Sequence, residues 1–260
     1  MRAMHADITT AIAMAVFAIF LAVCAPSVAA EATYESIRVQ LPAGAAEVDV
    51  YWTDAAAQAP MVIVAHGFSR NRHSMAGWGA HLSRAGIVAV VPDLPTWSDH
   101  ARNGRFLSEL RDHVLGDVSR RQRIDPARVG LLGFSAGGLS SLLSAADSPS
   151  LAIWVGLDPV DRDGLGAKAA SRVQARAVVL TAEPSACNAK GNARDMIAAL
   201  PRPDHFHLAE AVHVDAEWPT SWWAERVCGR STEAGRAAFQ VRATQALKEA
   251  LPARCSRNPG

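Results

Sequence analysis

Residues 129–146 read VGLLGFSAGGLSSLLSAA, an apolar run followed by a tight Gly-x-Ser-x-Gly turn and then a helical stretch. Between a strand and a helix, this pattern presents the serine on a strained turn at the end of a sheet. Side chains two positions before and after the serine would collide with neighbouring backbone, so glycine fits at Gly133 and Gly137. The amino end of the following helix favours negative charge at the same place. We therefore predict that Ser135 is a nucleophile.

Short apolar runs alternate with helical stretches along the rest of the chain, which predicts an α/β fold with a mostly parallel sheet. The central runs, such as MVIVA and IVAVV, are apolar without alternation, as strands buried on both faces are. The first two runs alternate more, as an edge hairpin does. The predicted strands are Ser36–Leu41, Glu47–Trp52, Met61–Ala65, Ile87–Val91, Val129–Gly133, Ala152–Leu157, Ala177–Thr181 and Phe206–Ala209, with helices near 74–85, 105–122, 137–146, 189–199 and 233–250. Ligands of such sheets bind at the carboxyl ends of the strands, so functional residues should directly follow the runs.

Composition excludes several classes of protein. The chain has 260 residues, of which 50% are hydrophobic and 20% charged, which is ordinary globular usage. With 26 basic and 25 acidic residues the net charge is +1, so nothing indicates a nucleic-acid partner or an acidic tail. No cysteine or histidine spacing matches a zinc site, and no cofactor motif is present, so we expect neither a metal nor a cofactor.

The first thirty residues resemble a cleavable secretory signal peptide. Residues 11–23 form an uncharged stretch too short to span a bilayer as a helix, and small residues lead to a cleavage position after Ala30. We therefore expect a secreted or periplasmic protein in which residues 31–260 form one domain with no stable membrane insertion. An uncleaved anchor is one alternative, and a lipoprotein attached at Cys24 is another, although Val23 stands where a small residue is expected.

Residues 123–138, RIDPARVGLLGFSAGG, resemble the α/β-hydrolase superfamily in its dienelactone-hydrolase and esterase-like branches. The resemblance implies a three-layer fold with a mostly parallel eight-stranded sheet, helices on both faces and a serine hydrolase activity. It implies no particular substrate, because this fold serves many. It also implies an oxyanion hole formed by the backbone N–H groups of Phe68 and Ala136, each contributing on the order of 3 kcal/mol to the transition state. The side chain of His66 is expected to brace that loop.

The catalytic base should be a histidine that follows the last strand. Three of the nine histidines fit, namely His205, His207 and His213. The first two alternate on one strand face, where a pair of histidines can also bind metal, but no further ligand pattern accompanies them. His213 follows the strand and precedes Asp215 by two residues, a spacing similar to that of chlorophyllase-like enzymes, and we select it as the base.

The acid partner of the histidine is less tightly defined. Most of the superfamily places it after the seventh strand, where Glu183 is the available carboxylate. After the sixth strand stands Gly-Leu-Asp-Pro, which resembles the acid turn of chlorophyllases and pancreatic-type lipases and favours Asp158. Asp158 ends an apolar run, so its carboxylate should be partly buried and in need of a partner. Asp161 lies further along the loop, where a solvated or helix-capping role is expected.

The loops suggest an open site. Only residues 159–176 separate the sixth and seventh runs, so there is no room for a cap domain. Trp97 and Trp218 should lie on the rim, and Phe134 and Phe68 should flank the oxyanion turns. An aromatic cleft suits a small-molecule or polymeric ester with apolar character. A lactone or amide hydrolase, an acyltransferase on the same triad and an inactive binding protein remain alternatives, and the oligomeric state stays open.

Export would place the chain in an oxidising compartment, where disulfides persist. After residue 30 the cysteines are Cys187, Cys228 and Cys255, so one thiol is left over from any internal bridge. Cys187 follows the seventh strand and Cys228 lies beyond His213, near the same edge of the sheet. We predict a Cys187–Cys228 disulfide, with Cys228–Cys255 as the alternative.

Overall fold

A computed structural model describes residues 33–53 and 58–252 of the chain. Within these residues, eight strands form one sheet in the order β1-β2-β4-β3-β5-β6-β7-β8. The strands are β1 Thr33–Leu41, β2 Gly44–Trp52, β3 Ala59–Ala65, β4 Val88–Pro92, β5 Ile124–Phe134, β6 Ile153–Leu157, β7 Arg176–Thr181 and β8 Asp204–His207. All eight predicted strands are present, and their bounds agree to within three residues except at the start of β5, which is Ile124 rather than Val129.

The sheet is antiparallel at one edge and parallel elsewhere. β1 and β2 form an antiparallel hairpin, and β2 pairs antiparallel with β4. From β4 onwards every neighbouring pair is parallel, and Gly133 of β5 lies opposite Gly156 of β6. The carboxyl ends of β3, β5, β6, β7 and β8 therefore meet at one edge, where the candidate residues were expected.

Helices cover both faces of the sheet. They are α1 Ala76–Arg84, α2 His100–Gly116, α3 Val118–Arg121, α4 Ala136–Ala146, α5 Leu165–Ala170, α6 Arg194–Ala199, α7 Trp222–Cys228 and α8 Glu233–Ala250, with 3₁₀ turns at Arg72–Met75 and His213–Ala216. Alternate side chains of one strand enter opposite cores: Leu131 belongs to the core that contains Phe106 and Trp154, whereas Leu132 belongs to the core that contains Trp78 and Phe239. Full burial of each such apolar side chain contributes roughly 1.5–3 kcal/mol. The predicted three-layer α/β-hydrolase fold is thus confirmed.

The helices differ from the prediction in identifiable ways. α2 begins earlier than expected because the Asp99 side chain accepts the N–H of Arg102 at 2.9 Å and caps the helix. The predicted stretch 105–122 is two helices, since Asp117 is extended and its carboxylate caps α3 through the N–H of Arg120. The short helices α5 and α7 were not predicted.

Between β6 and β7 the chain forms only α5 and its loops, with no inserted cap domain. Residues 1–30, which carry the predicted signal peptide and the alternatives for Cys24, lie outside the described residues. Among residues 33–53 and 58–252, no helix has the length and apolar character needed to cross a membrane.

Candidate active site

The turn after β5 holds Ser135 in a conformation that few side chains adopt. Its φ is 53° and its ψ is −121°, and its N–H donates to the carbonyl of Leu157 on β6 at 3.0 Å. A Cβ atom at Gly133 would lie 2.3 Å from Ser141 Oγ, and one at Gly137 would lie 2.3 Å from the carbonyl oxygen of His66. Glycine is therefore required on both sides of the serine, as the sequence pattern indicated.

Three side chains form a continuous hydrogen-bonded chain at this edge of the sheet. Ser135 Oγ lies 3.0 Å from His213 Nε2, and His213 Nδ1 lies 2.6 Å from Asp158 Oδ2. All three residues are buried. The arrangement allows His213 to accept the serine proton at Nε2 while its Nδ1–H donates to the carboxylate, as in a serine triad.

The other candidate acids face elsewhere. Glu183 is exposed, and its carboxylate contacts His207 Nε2 at 3.0 Å. Asp161 accepts the N–H of Gly166 at 2.7 Å and of Ala167 at 3.1 Å at the start of α5. Asp161 thus has the helix-capping position expected for it, and neither carboxylate contacts His213 in the described structure.

His205 and His207 lie away from the serine. Both are exposed on the edge strand β8, and both approach Thr181 Oγ1, at 3.0 and 3.5 Å. Within the described residues no group of three or more metal-binding side chains is assembled. Burial lowers the pKa of His205, and the neighbouring His207 lowers it further.

Asn188 orients the carboxylate of Asp158 and was not anticipated from the sequence. Its Nδ2 donates to Asp158 Oδ2 at 3.0 Å and to the carbonyl of Glu183 at 2.9 Å. The N–H of Ala182 donates to the other carboxylate oxygen at 3.0 Å. Asn188 has only 1% of its surface exposed, so its amide is fixed in place. The only sequence signal was a polar residue directly after Cys187 in the β7 loop.

Asp215 fixes the loop that carries His213. Its carboxylate accepts the N–H of Val212 at 2.8 Å, the hydroxyl of Ser231 at 2.9 Å and the N–H of Thr232 at 2.7 Å. These bonds join the 3₁₀ turn at His213–Ala216 to the start of α8. The His-x-Asp spacing noted in the sequence therefore reflects support of the loop rather than a second acid.

The predicted oxyanion donors lie in two turns, Phe68 after β3 and Ala136 directly after Ser135. Within the part of the chain that the structure describes, the N–H groups of Phe68 and Ala136 donate to no protein acceptor. The His66 ring braces the turn after β3: Nε2 accepts the N–H of Leu94 at 2.9 Å, so Nδ1 carries the proton and donates to the carbonyl of Gly67 at 2.9 Å. Burial lowers the pKa of His66, consistent with a neutral ring.

A cleft of about 330 Å³ opens beside Ser135 and His213. Its wall is mostly apolar and includes two features that the sequence reasoning did not place there, the helix α7 and the disulfide. The lining residues are Phe68, Ser69, Arg70, Phe134, Ser135, Cys187, His213, Trp223, Ala224, Val227 and Cys228.

The predicted aromatic rim is only partly correct. Trp97 is 64% exposed and stacks edge-on with Phe68 at 6.4 Å, whereas the buried Phe134 ring lies 4.7 Å from His213. The prediction for Trp218 is wrong. Its ring packs against Gly77 and His81 on α1, where a Cβ at position 77 would lie 2.2 Å from it. Trp223 of α7 occupies the cleft wall instead.

Cys187 and Cys228 are joined in a disulfide that spans 41 residues of sequence. It links the loop after β7, which carries Asn188, to the end of α7. Cys255, the alternative partner, lies outside the described residues.

The fold and the serine turn define an α/β-hydrolase, and comparison with known proteins gives the family. A family model described as PETase, PET hydrolase-like, matches residues 24–208, and the chain therefore belongs to the PET hydrolase-like family. The matched segment ends before His213.

Individual relatives agree with this assignment. The chain is 36% identical over 103 residues to a bis(hydroxyethyl) terephthalate hydrolase of Streptomyces coelicolor, covering 39% of this chain and 33% of that protein. It is 30% identical over 101 residues to cutinase 2 of Thermobifida cellulosilytica, covering 38% of each chain. The matches thus span 33% and 38% of the length of these relatives.

Solved structures share the fold at low identity. A dienelactone hydrolase from Anabaena variabilis superposes with a TM-score of 0.68 at 17% identity, covering 85% of this chain and 99% of that one. A dienelactone hydrolase-like promiscuous phosphotriesterase from metagenomic libraries gives a TM-score of 0.65 at 14% identity, covering 84% and 98%.

Proposed function

We propose that the protein is a serine hydrolase that cleaves carboxylic esters through Ser135, His213 and Asp158. The observation that carries the proposal is the hydrogen-bonded chain from Ser135 Oγ through both ring nitrogens of His213 to the buried Asp158 carboxylate. Similarity to a bis(hydroxyethyl) terephthalate hydrolase and to cutinases supports an ester as the substrate.

The reaction would proceed in two halves. Ser135 Oγ attacks the ester carbonyl while His213 Nε2 takes its proton, and the N–H groups of Phe68 and Ala136 bind the developing oxyanion. The alcohol leaves with the proton from His213, which leaves an acyl group on Ser135. A water molecule, deprotonated by His213, then attacks the acyl group, and the acid is released as His213 returns the proton to Ser135 Oγ. Asp158 holds the imidazole tautomer and stabilises the imidazolium in both halves.

The shape of the cleft favours esters with large apolar groups. Phe68, Trp97 and Trp223 are 58%, 64% and 61% exposed around the mouth of the site. Because no cap domain is inserted between β6 and β7, bulky or polymeric esters have access to the serine. We therefore include polymeric esters among the proposed substrates.

Substitution of Ser135 by alanine is the test of this proposal. Triad residues act as a unit, so kcat should fall by about 10⁴ to 10⁶ on chromogenic esters, bis(hydroxyethyl) terephthalate and polyester film. Ser144→Ala, which removes another buried serine hydroxyl from the adjacent helix α4, is the matched control and should retain most activity. More than a tenth of wild-type activity in the Ser135 variant would refute the assignment.

Two alternatives are separated by further measurements. A fluorophosphonate probe should label wild type and fail to label Ser135→Ala, and absence of labelling in wild type would favour a non-catalytic binding protein. Product analysis with added alcohols separates hydrolysis from acyl transfer, because a transferase yields a new ester where a hydrolase yields the free acid. Lactones and amides belong in the same substrate panel.

We also propose that residues 1–30 direct export and that residues 31–260 fold as one domain. The short apolar stretch at residues 11–23 and the small residues before Glu31 support this. A disulfide is also typical of an exported protein. N-terminal sequencing of the protein recovered outside the cytoplasm should begin at Glu31, and a chain that begins at Met1 would contradict it.

A further inference from the structure

Arg70 is the one arginine or lysine among the described residues that line the cleft beside Ser135 and His213. It lies two residues after Phe68, and its N–H donates to the carbonyl of Gly67 at 3.3 Å, which closes the oxyanion turn. Ser69 between them has a φ of 55°. The backbone therefore fixes where the Arg70 side chain leaves the turn.

The guanidinium of Arg70 is only partly used by the protein. Its Nε donates to Glu217 Oε1, while its two Nη groups have no hydrogen-bond partner among the described residues. The side chain is 26% exposed, whereas that of Glu217 is completely buried. A guanidinium presents five N–H donors in a planar fork suited to carboxylates, so several donors remain available at the cleft wall.

Glu217 acts as the inner anchor of this arginine. Its Oε2 is buried and has no hydrogen-bond partner within residues 33–53 and 58–252. Burial raises the pKa of Glu217, and the adjacent Arg70 opposes that rise. The carboxylate thus holds the guanidinium at Nε and restricts its rotation. A preorganised cation loses less entropy when it binds an anion.

From these contacts we infer that Arg70 is a specificity-determining residue that binds a carboxylate on the acyl part of the substrate. The preferred substrates would be monoesters of dicarboxylic acids, in which one end is the scissile ester and the other a free carboxylate. The inference rests on the proposed ester hydrolysis. It adds a charged anchor to a cleft whose other walls are largely apolar.

Matched pairs of alkyl esters test the inference. The monobutyl esters of succinate, glutarate and adipate are each compared with the neutral dibutyl ester of the same acid, and hydrolysis is followed by titration of the acid released. For wild type, kcat/KM should be higher for the anionic member of at least one pair. The length of the dicarboxylic acid that gives the largest anionic-to-neutral ratio of kcat/KM indicates the distance from Ser135 to Arg70.

The variants are chosen so that the buried carboxylate of Glu217 is never left without Arg70 as its partner. Arg70→Gln combined with Glu217→Gln removes both charges and should reduce the anionic-to-neutral ratio of kcat/KM about tenfold. Glu217→Gln alone removes the opposing negative charge and should raise the ratio. Arg176→Gln, which removes an ion-paired arginine at the amino end of β7, should leave it unchanged. An equal loss on both kinds of ester in the double variant would show that the ion pair is only structural and would overturn the inference.

A binding measurement separates this inference from the proposed activity. Ser135→Ala is titrated calorimetrically with monobutyl glutarate and with dibutyl glutarate, which it should not turn over. The anionic ligand should bind more tightly, and the preference should disappear when Arg70 and Glu217 are also replaced. A preference without any esterase activity in wild type would refute the hydrolase alone, whereas esterase activity with no preference would refute the role of Arg70.

Discussion

The serine side and the histidine side of the candidate site are held in place by different means. On the serine side, backbone geometry does the positioning: a positive φ at Ser135, close packing around Gly137 and a backbone hydrogen bond to Leu157. On the histidine side, hydrogen bonds between side chains far apart in sequence hold the residues in place. Asp158 is bonded to Asn188, 30 residues later in the chain, and to His213, 55 residues later. The second side should therefore be the more sensitive to single side-chain substitutions that leave the fold intact.

The largest effect on the histidine side is expected from Asp158→Asn. An amide in place of the carboxylate would donate towards His213 Nδ1 and favour the wrong tautomer, so kcat should fall roughly 10³- to 10⁴-fold. Glu183→Gln is the matched control, because Glu183 pairs with the exposed His207, and it should stay within about tenfold of wild type. Both variants are compared by ester kinetics after circular dichroism has verified their fold.

If Glu183→Gln were the inactive variant, the histidine would have to take its acid from the loop after β7. The side chains around Asp158 would then not position the catalytic histidine, and their network would serve only to stabilise the loop.

The contrast also explains which parts of the molecule could be predicted from sequence. The strands and the serine turn can be predicted from local patterns. Continuous apolar runs indicate strands buried on both faces, and the glycines flanking Ser135 indicate a tight turn. Asn188 lacks such a pattern, because its role depends on a carboxylate 30 residues earlier in the chain. Helix α7 has only seven residues, too few for a clear helical periodicity, so the sequence does not predict it or the position of Trp223. The sequence also assigns Trp218 wrongly to the rim.

A second test removes the disulfide that joins the two loops on the histidine side. Replacing Cys187 and Cys228 together by serine should lower the free energy of unfolding by about 3–4 kcal/mol in the chain-entropy model, given the 41-residue separation. Chemical denaturation of the oxidised wild type and the double variant measures this. The same variant should lose activity at temperatures where it is still folded, because the cleft wall formed by α7 is no longer tied to the Asn188 loop. Unchanged stability would indicate that the bridge constrains little.

Asn188→Ala is the more selective way to test that loop. Loss of a hydrogen bond to a charged group costs about 1.5–3 kcal/mol, so kcat should fall roughly 10- to 100-fold while KM changes little. Asn192→Ala is the control: its amide is bonded to the backbone of Asp161, at 3.0 and 2.7 Å, and makes no contact with Asp158. Equal losses in both variants would mean that the loop, rather than the orientation of Asp158, governs the rate.

The smallest effect concerns the serine side and depends on pH. Because burial lowers the pKa of His66, the folded state binds a proton less readily than the unfolded state does. Stability should therefore be lost as the pH falls below the unfolded value of about 6.5, by at most about 1.4 kcal/mol per pH unit for this one group. Protonation would also break the hydrogen bond from Leu94 to Nε2 and loosen the turn that carries Phe68.

The variant His66→Gln tests this coupling, because glutamine supplies an acceptor that does not titrate. Between about pH 7 and pH 5, the free energy of unfolding of the variant, measured by denaturant titration, should fall less steeply than that of wild type. His113→Gln, at an exposed histidine of α2, should keep the wild-type slope. If His66→Gln and wild type lose stability in parallel, the buried ring does not couple the oxyanion turn to pH, and the serine side is held by its backbone alone.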